Sequence, residues 1–458
     1  MIEAGSFRDP AARVFYQDDR VLRGLSEEGA ADDLAAREAG VIDALVTAGT
    51  LIESWRVDDV AVPAGVPAVA VVESIRVPLV SYPSEWSFSM LRDAALATLD
   101  ANLVALESGF ILKDASAFNV TFNGMRPVII DTSSLERFPE RGVWNAYAQF
   151  CDHFLAPLLL EAHGGVPVSR SLTGTVDGFP IADLAPLLKG RSRWAKGVLT
   201  HVKMRARIER SAKKMDTSAR TEVGVTSLPR EAVAASISKM RMIVAGLTSR
   251  ASSVWAQYEA HLPYDEEGVE LKEAFVAAAA RVVGHGSVAL DVGANAGRYT
   301  RLLTEKFERV VAIDVDPGAI DALYRLEGDD LRAKITPLVV DVANPTPSFG
   351  WRSTERRAFF DRVSPDLSTW LAVLHHLCLG TGIPLSEVLD LVHGVGPEAV
   401  VEFVDPADRM ARHITATRRD PLHDYSLAAF ESGIAARFDI VSSQPVSATR
   451  TLFHLRRR

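Results

Sequence analysis

The chain has 458 residues, 48% hydrophobic and 24% charged, with a formal net charge of −9. That length exceeds one ordinary core and calls for two or three domains, the composition is globular and soluble, and the acidic balance argues against a dedicated nucleic-acid binder. Two cysteines, Cys151 and Cys378, exclude a disulfide framework and a cysteine-rich zinc site. No apolar run is long enough to span a bilayer, and the first residues lack the basic and apolar pattern of a signal peptide, so a cytoplasmic protein is expected.

Up to about residue 80, short strands alternate with turns around one helix at 30–48. Pro63, Pro67, Pro78 and Pro83 forbid a single long helix here. From 87 to 107, Leu91, Ala94, Ala95, Leu99, Leu103 and Leu106 recur at spacings of three and four, which predicts a helix. A short segment at 111–122 leads to Asn123-Gly124, a hairpin signal because both residues tolerate positive φ, and then to a strand at 127–131. Residues 1–188 therefore read as an α+β domain. The stretch 189–220 is strongly basic (Arg191, Arg193, Lys196, Lys203, Arg205, Arg207, Arg210, Lys213, Lys214), but Trp194 is its only aromatic. That pattern favours a solvated helical connector over a nucleic-acid surface. A linker is assigned to 189–255, with its boundary within 215–253.

The remainder, 256–458, alternates regularly. Helices are predicted at 270–283, 298–306, 317–324 and 384–393, and strands at 287–292, 310–314, 336–340, 366–371 and 399–404. Strands separated by helices imply right-handed crossovers and a parallel sheet. The last two strands, 438–442 and 451–456, are joined by too short a loop for a crossover and should pair antiparallel.

Leu290-Asp291-Val292-Gly293-Ala294-Asn295-Ala296-Gly297 falls where an apolar strand gives way to a helix. Gly293 and Gly297 permit a tight turn and close approach to a ligand. A dinucleotide fingerprint would need glycine where Asn295 and Arg298 stand, so the nicotinamide reading fails. Asp291, at the strand's end, would repel a pyrophosphate and suits a ligand carrying an ammonium group. The next strand ends at Asp314, placed to accept from both hydroxyls of a ribose, and the third ends at Asp341-Val342, placed to meet an adenine amino group and ring. Ligands of open α/β sheets bind at such strand ends.

On these residues, 270–458 resembles a class I S-adenosylmethionine (SAM) dependent methyltransferase, with a D-x-G-x-N-x-G form of the glycine motif. The resemblance implies an α/β, Rossmann-like sheet of seven strands with an antiparallel C-terminal hairpin, preceded here by the α+β domain. It implies SAM as cofactor, with Asp291 near the methionine end, Gly293, Ala294, Asn295 and Gly297 in the loop, Asp314 and Val315 at the ribose, and Asp341 with Val342 at the adenine. The pattern Gly350-Trp351-Arg352, Glu355-Arg356, Pro365-Asp366-Leu367 and Leu374-His375-His376-Leu377 also resembles bacterial methyltransferases with a long N-terminal extension.

Methyl transfer from a sulfonium is an in-line displacement, so the site mainly positions a nucleophile, and an oxygen or neutral nitrogen gains from a base near neutrality. His376, and second to it His375, follow the fourth strand and are the candidates; capping of the next helix is the competing role. His423 with Asp420, Asp424 and Tyr425 forms a polar cluster expected over the substrate. Glu402 is a candidate wall residue, and Trp351 and Arg352 either cover the site or pack a loop. No metal site is expected. The expected acceptor is a small molecule, natural product or glycan; the competing function is a scaffold that binds SAM without turnover.

In the N-terminal half, Asp114, Asn119 and Asp131 are spaced as in protein kinase-like and aminoglycoside phosphotransferase-like folds. In those families an acid, an asparagine and a second acid handle the acceptor hydroxyl and magnesium. Leu112 stands where a histidine is usual, Lys113 is the first lysine of the chain, and no glycine-rich loop precedes it. Two readings stay open: a degenerate kinase-like recognition domain, or a loop in which these three residues serve only the fold.

Overall fold

A computed structural model describes residues 1–195, 197–203, 227–250, 266–416 and 424–458. The chain divides into two compact units, Met1–Ser252 with Pro347–Arg357, and Ser253–Thr346 with Ala358–Arg458. Most of the basic run, together with part of the expected linker, lies outside the described residues. The helix Arg230–Ala245 falls within that expected linker and packs along the helix Phe88–Glu107 of the first unit.

The first unit opens with strands β1 (Ala12–Gln17), β2 (Arg20–Leu25), β3 (Ser54–Val57) and β4 (Ala70–Ser74), in an antiparallel sheet of order β1-β2-β4-β3. Alternation sends Phe15, Leu22 and Val71 into one buried cluster and Ala12, Leu25 and Val72 into another, as period-two side chains on a pleated sheet must. The single helix expected at 30–48 is two, Glu27–Glu38 and Val41–Thr47, because Gly40 takes φ 71° and breaks the α conformation. Ser26 caps the first, its Oγ accepting from Gly29 N at 3.2 Å.

Helix Phe88–Glu107 buries Leu91, Ala94, Ala95, Leu99 and Leu106, the stripe its spacing predicts. Three short pairings follow from β5 (Phe110–Leu112), β6 (Val120–Asn123), β7 (Arg126–Ile129), β8 (Leu135–Arg137), β9 (Arg141–Gly142) and β10 (Leu228–Pro229): β5 with β8, β6 with β7, and β9 with β10. The β6–β7 turn differs from expectation by one residue. Asn123 pairs with Arg126, so the two turn residues are Gly124, at φ 65°, and Met125, whose buried side chain anchors the turn.

The second unit is built on β11 (Gly286–Val292), β12 (Phe307–Asp314), β13 (Ile335–Val339), β14 (Leu367–Trp370), β15 (Glu398–Val404), β16 (Phe438–Ser447) and β17 (Arg450–Arg457). They form one sheet of order β13-β12-β11-β14-β15-β17-β16, parallel through β15, with β17 inserted antiparallel between β15 and β16. The expected C-terminal hairpin is present. Pro337 and Pro445 lie on β13 and β16, the two edge strands, where a missing N–H costs no interior ladder bond and discourages further pairing. Val276, Ala279 and Ala280 of helix Glu266–Val283 share one buried cluster with Ala289, Val310, Leu367 and Val400 of the sheet. The order reverses between β11 and β14, which is where a crevice opens at the carboxyl ends of such strands.

Candidate active site

The loop after β11 alternates left-handed residues: Gly293 at φ 72°, Asn295 at 48° and Gly297 at 83°. A side chain at Gly297 would also drive its Cβ to 2.5 Å from Leu323, so this position needs glycine twice over. The turn is pinned to β12, since Gly293 and Ala294 both donate their backbone N–H to the Ile313 carbonyl, at 2.9 and 3.0 Å. Asn295, the non-glycine left-handed residue, holds a buried Oδ1 that has no partner among the described residues.

Asp314, ending β12, is clamped from two sides: Asn295 N donates to one carboxylate oxygen at 3.0 Å and Asp316 N to the other at 2.9 Å. Burial pushes its pKa up, while those two backbone bonds oppose the rise. Each oxygen keeps acceptor capacity beyond its one bond. Beside it Val315 is 54% exposed, an apolar side chain at a strand tip with no core to enter. One strand further, Asp341 is exposed and, among the described residues, accepts a local bond from Ala343 N at 2.9 Å, and Val342 is half-buried next to it.

Asp291 is placed differently. It is 2% exposed, and Thr300 and Thr369 donate their hydroxyls to its two oxygens at 2.6 and 2.7 Å. The carboxylate latches β11 to β14 and to the helix Arg298–Leu303. Burial raises its pKa, opposed by the two threonines.

After β14 the chain turns through Ala372, at φ 56°, into His375 and His376, whose ring centroids lie 4.3 Å apart. His375 is fully buried and its Nδ1 has no partner among the described residues, whereas His376 is half-buried. Burial, then His376 and Arg450, pulls the His375 ring down to about 2; burial, then Arg450, lowers His376 as well. Both rings are thus neutral at neutral pH and keep a lone pair. His376 starts the wide helical turn His376–Thr381, a geometry often found at functional sites.

A buried ionic chain lies in the same unit. Lys272 donates to Glu402 at 2.6 Å, Arg450 stands 3.5 Å from the other Glu402 oxygen, and Arg450 also grips Asp408 at 2.8 Å. Glu402, expected as a wall, is instead wholly buried between two cations. Lys272, Arg450 and Asp408 were not anticipated. The available signal was a charged residue inside an otherwise apolar strand, Val400-Val401-Glu402-Phe403-Val404, and a lysine on the buried stripe of a helix.

Of the late polar cluster, His423 and Asp420 lie outside the described residues. Asp424 accepts from Leu385 N, and Tyr425 is buried, donating to the Val404 carbonyl at 2.9 Å and stacking on Phe403. Trp351 and Arg352 belong by packing to the first unit, within Pro347–Arg357. There Phe349 meets Tyr82, Arg356 lies 4.7 Å over the Phe118 ring, and Arg8 grips the buried Glu355 at 2.7 and 2.9 Å. In that unit Asp114, Asn119 and Asp131 do converge: Asn119 donates to Asp131 at 3.4 Å and also bonds Asp114, whose pKa is raised by burial and then by Asp131.

The strand order, the glycine loop and the acids at the ends of β11, β12 and just beyond β13 define a class I methyltransferase fold of Rossmann-like type. No protein-family model matches the chain. It is 32% identical over 460 residues to the nodulation protein NoeA of Rhizobium meliloti (strain 1021), covering 99% of this chain and 96% of that protein. The chain therefore belongs to the family of NoeA. Among solved structures it is similar to the N-methyltransferase NodS from Bradyrhizobium japonicum WM9, with 18% identity, 42% of this chain, 98% of that chain and a TM-score of 0.31. It is also similar to the bifunctional kinase-methyltransferase WbdD, with 17% identity, 44% of this chain, 41% of that chain and a TM-score of 0.30.

Among the described residues, no helix is long and apolar enough to cross a membrane.

Proposed function

We propose that the second unit binds SAM and transfers its methyl group to an oxygen or nitrogen of a small molecule, natural product or glycan, with the first unit aiding substrate recognition. The observation that carries this reading is Asp314: a carboxylate fixed by two backbone N–H groups from two loops, with acceptor capacity left over. The unpartnered Asn295 Oδ1, the exposed Val315 and the free face of Asp341 suit a ligand made of an amino acid, a ribose and an adenine. SAM would supply an electrophilic methyl carbon on its sulfonium. The chain's part is to orient the acceptor and take its proton, and a half-buried His376 is suited to that because burial, then Arg450, lowers its pKa and favours the neutral ring. Asp291 would hold the loop in shape through Thr300 and Thr369.

Calorimetric titration tests the assignment. The full chain is expected to bind SAM, and Asp314→Ala to weaken binding by about 100-fold, since hydrogen bonds to a charged group contribute about 1.5–3 kcal/mol. Unchanged affinity in a folded variant would remove Asp314 from the site.

A further inference from the structure

The spacing of Asp114, Asn119 and Asp131 implies a magnesium site, so the fit of these residues to a divalent cation can be judged directly. A hard cation needs carboxylate and carbonyl oxygens that are free to coordinate it. Asp131 Oδ1 accepts instead from Arg23 Nη1 at 2.6 Å, from Ser133 Oγ at 2.7 Å and from Ser133 N at 3.1 Å. Its Oδ2 faces the Asn119 amide. The neighbouring Ile130 carbonyl is taken by Arg23 Nη2 at 3.1 Å, and Arg23 Nη1 also donates to Ser133 Oγ at 3.0 Å. Asp114 accepts from Ser116 N at 2.8 Å. Among the described residues, each group hydrogen-bonded to the Asp131 carboxylate is thus a donor, and one of them carries a full positive charge. The two nearby acids are Asp114, whose pKa is raised by burial and then by Asp131, and Asp9, which accepts from Ser133 Oγ at 3.1 Å.

Arg23 is not an incidental surface arginine. It sits on β2, an interior strand of its sheet, paired in register with Val14 on one side and Val72 on the other. The side chains of Arg23 and Asp131 are only 14% and 15% exposed, so the guanidinium is committed to this position. A divalent ion brought to Asp131 would meet that charge at close range in a poorly solvated place. The residues present do not fit a metal.

We propose that Arg23 is a built-in counter-cation occupying the position of the metal at Asp131, so that the first unit keeps its Asp114–Asn119–Asp131 constellation assembled without a divalent ion. Removing the guanidinium takes the positive charge from Asp131 Oδ1, which keeps its Ser133 bonds, and frees the Ile130 carbonyl of its Arg23 donor. Arg23→Met should therefore create a divalent-cation site that the natural chain lacks.

Mn2+ titration of the full-length protein, followed by electron paramagnetic resonance, tests this. Wild type and Asp131→Asn are expected to titrate alike. Arg23→Met is expected to bind Mn2+ about ten-fold or more tightly at one added site, as removal of a like charge at contact range implies. That site should vanish in Arg23→Met/Asp131→Asn. A wild-type site that is lost on Asp131→Asn would overturn the proposal, and this comparison needs no Arg23 variant. So would an Arg23→Met protein, folded by circular dichroism, that titrates like its double variant.

Discussion

Breaking the Lys272–Glu402 pair should destabilise the second unit more than any surface ion pair of the chain. Lys272 and Glu402 are 3% and 0% exposed and 2.6 Å apart. In such a place the desolvation cost of each charge is offset mainly by the opposite charge beside it, and removing one member of such a pair costs about 3–5 kcal/mol. Lys272→Met should fall at the lower end, because Glu402 keeps Arg450 at 3.5 Å. Glu402→Gln should fall at the upper end, since it leaves two buried cations around a neutral amide. Lys272→Met/Glu402→Leu removes both charges, leaves Arg450 on Asp408 and should recover about 2 kcal/mol or more of the summed single losses. At about 2–4 °C per kcal/mol for a unit of this size, each single variant lowers its melting transition by about 10 °C. Calorimetry of the full chain, with the transitions of the two units resolved, measures this. A Lys272→Met protein within about 1 kcal/mol of wild type would refute the reasoning, because such a small loss belongs to a solvated pair.

Two further outcomes follow from the histidines. His153 is buried in the first unit, and burial, then Arg356, lowers its pKa from 6.5 to about 4. The unfolded chain takes up that proton first, so this contribution is complete above 6.5 and is lost as pH falls from 6.5 to 4, amounting to about 3 kcal/mol. Denaturant titrations across that range should show the loss and His153→Gln should flatten it; an unaltered pH slope in the variant would contradict it. For His376, the acid limb of kcat/KM should lie below the ordinary value of 6.5, because burial and Arg450 lower its pKa. A limb above that value, or full turnover by His376→Ala, would remove it as the base.

What was legible in the sequence is what local rules govern. The alternation of strands and helices after residue 270 and the antiparallel end are written in hydrophobic period and loop length, so the seven-stranded sheet follows. The glycine loop is legible because only glycine meets both demands at position 297. Errors occur where one residue decides a local conformation: Gly40 splits a helix, and Gly124 shifts a turn by one position. Pairings between distant side chains left weaker traces. Arg8 with Glu355 and Arg23 with Asp131 are joined by the fold across 347 and 108 positions, and no spacing announces them.

The acids flagged at strand ends separate by what their oxygens are doing. Asp291 is turned inward onto two threonine hydroxyls, and Asp131 onto an arginine and a serine, so both serve the fold first. Among the described residues, Asp314 and Asp341 accept from backbone N–H groups, Asp314 from two different loops, and keep acceptor capacity beyond those bonds. A strand-end aspartate in the sequence marks a position where a ligand can be met; the donors that the rest of the chain brings to it decide whether one is. By that criterion Asp314→Ala should weaken ligand binding by about 100-fold while Asp291→Asn should chiefly loosen the β11–β14 latch, lowering stability by about 1–3 kcal/mol. Parallel calorimetry and denaturant titration of the two variants would show the division, and the opposite pattern would reverse the two roles.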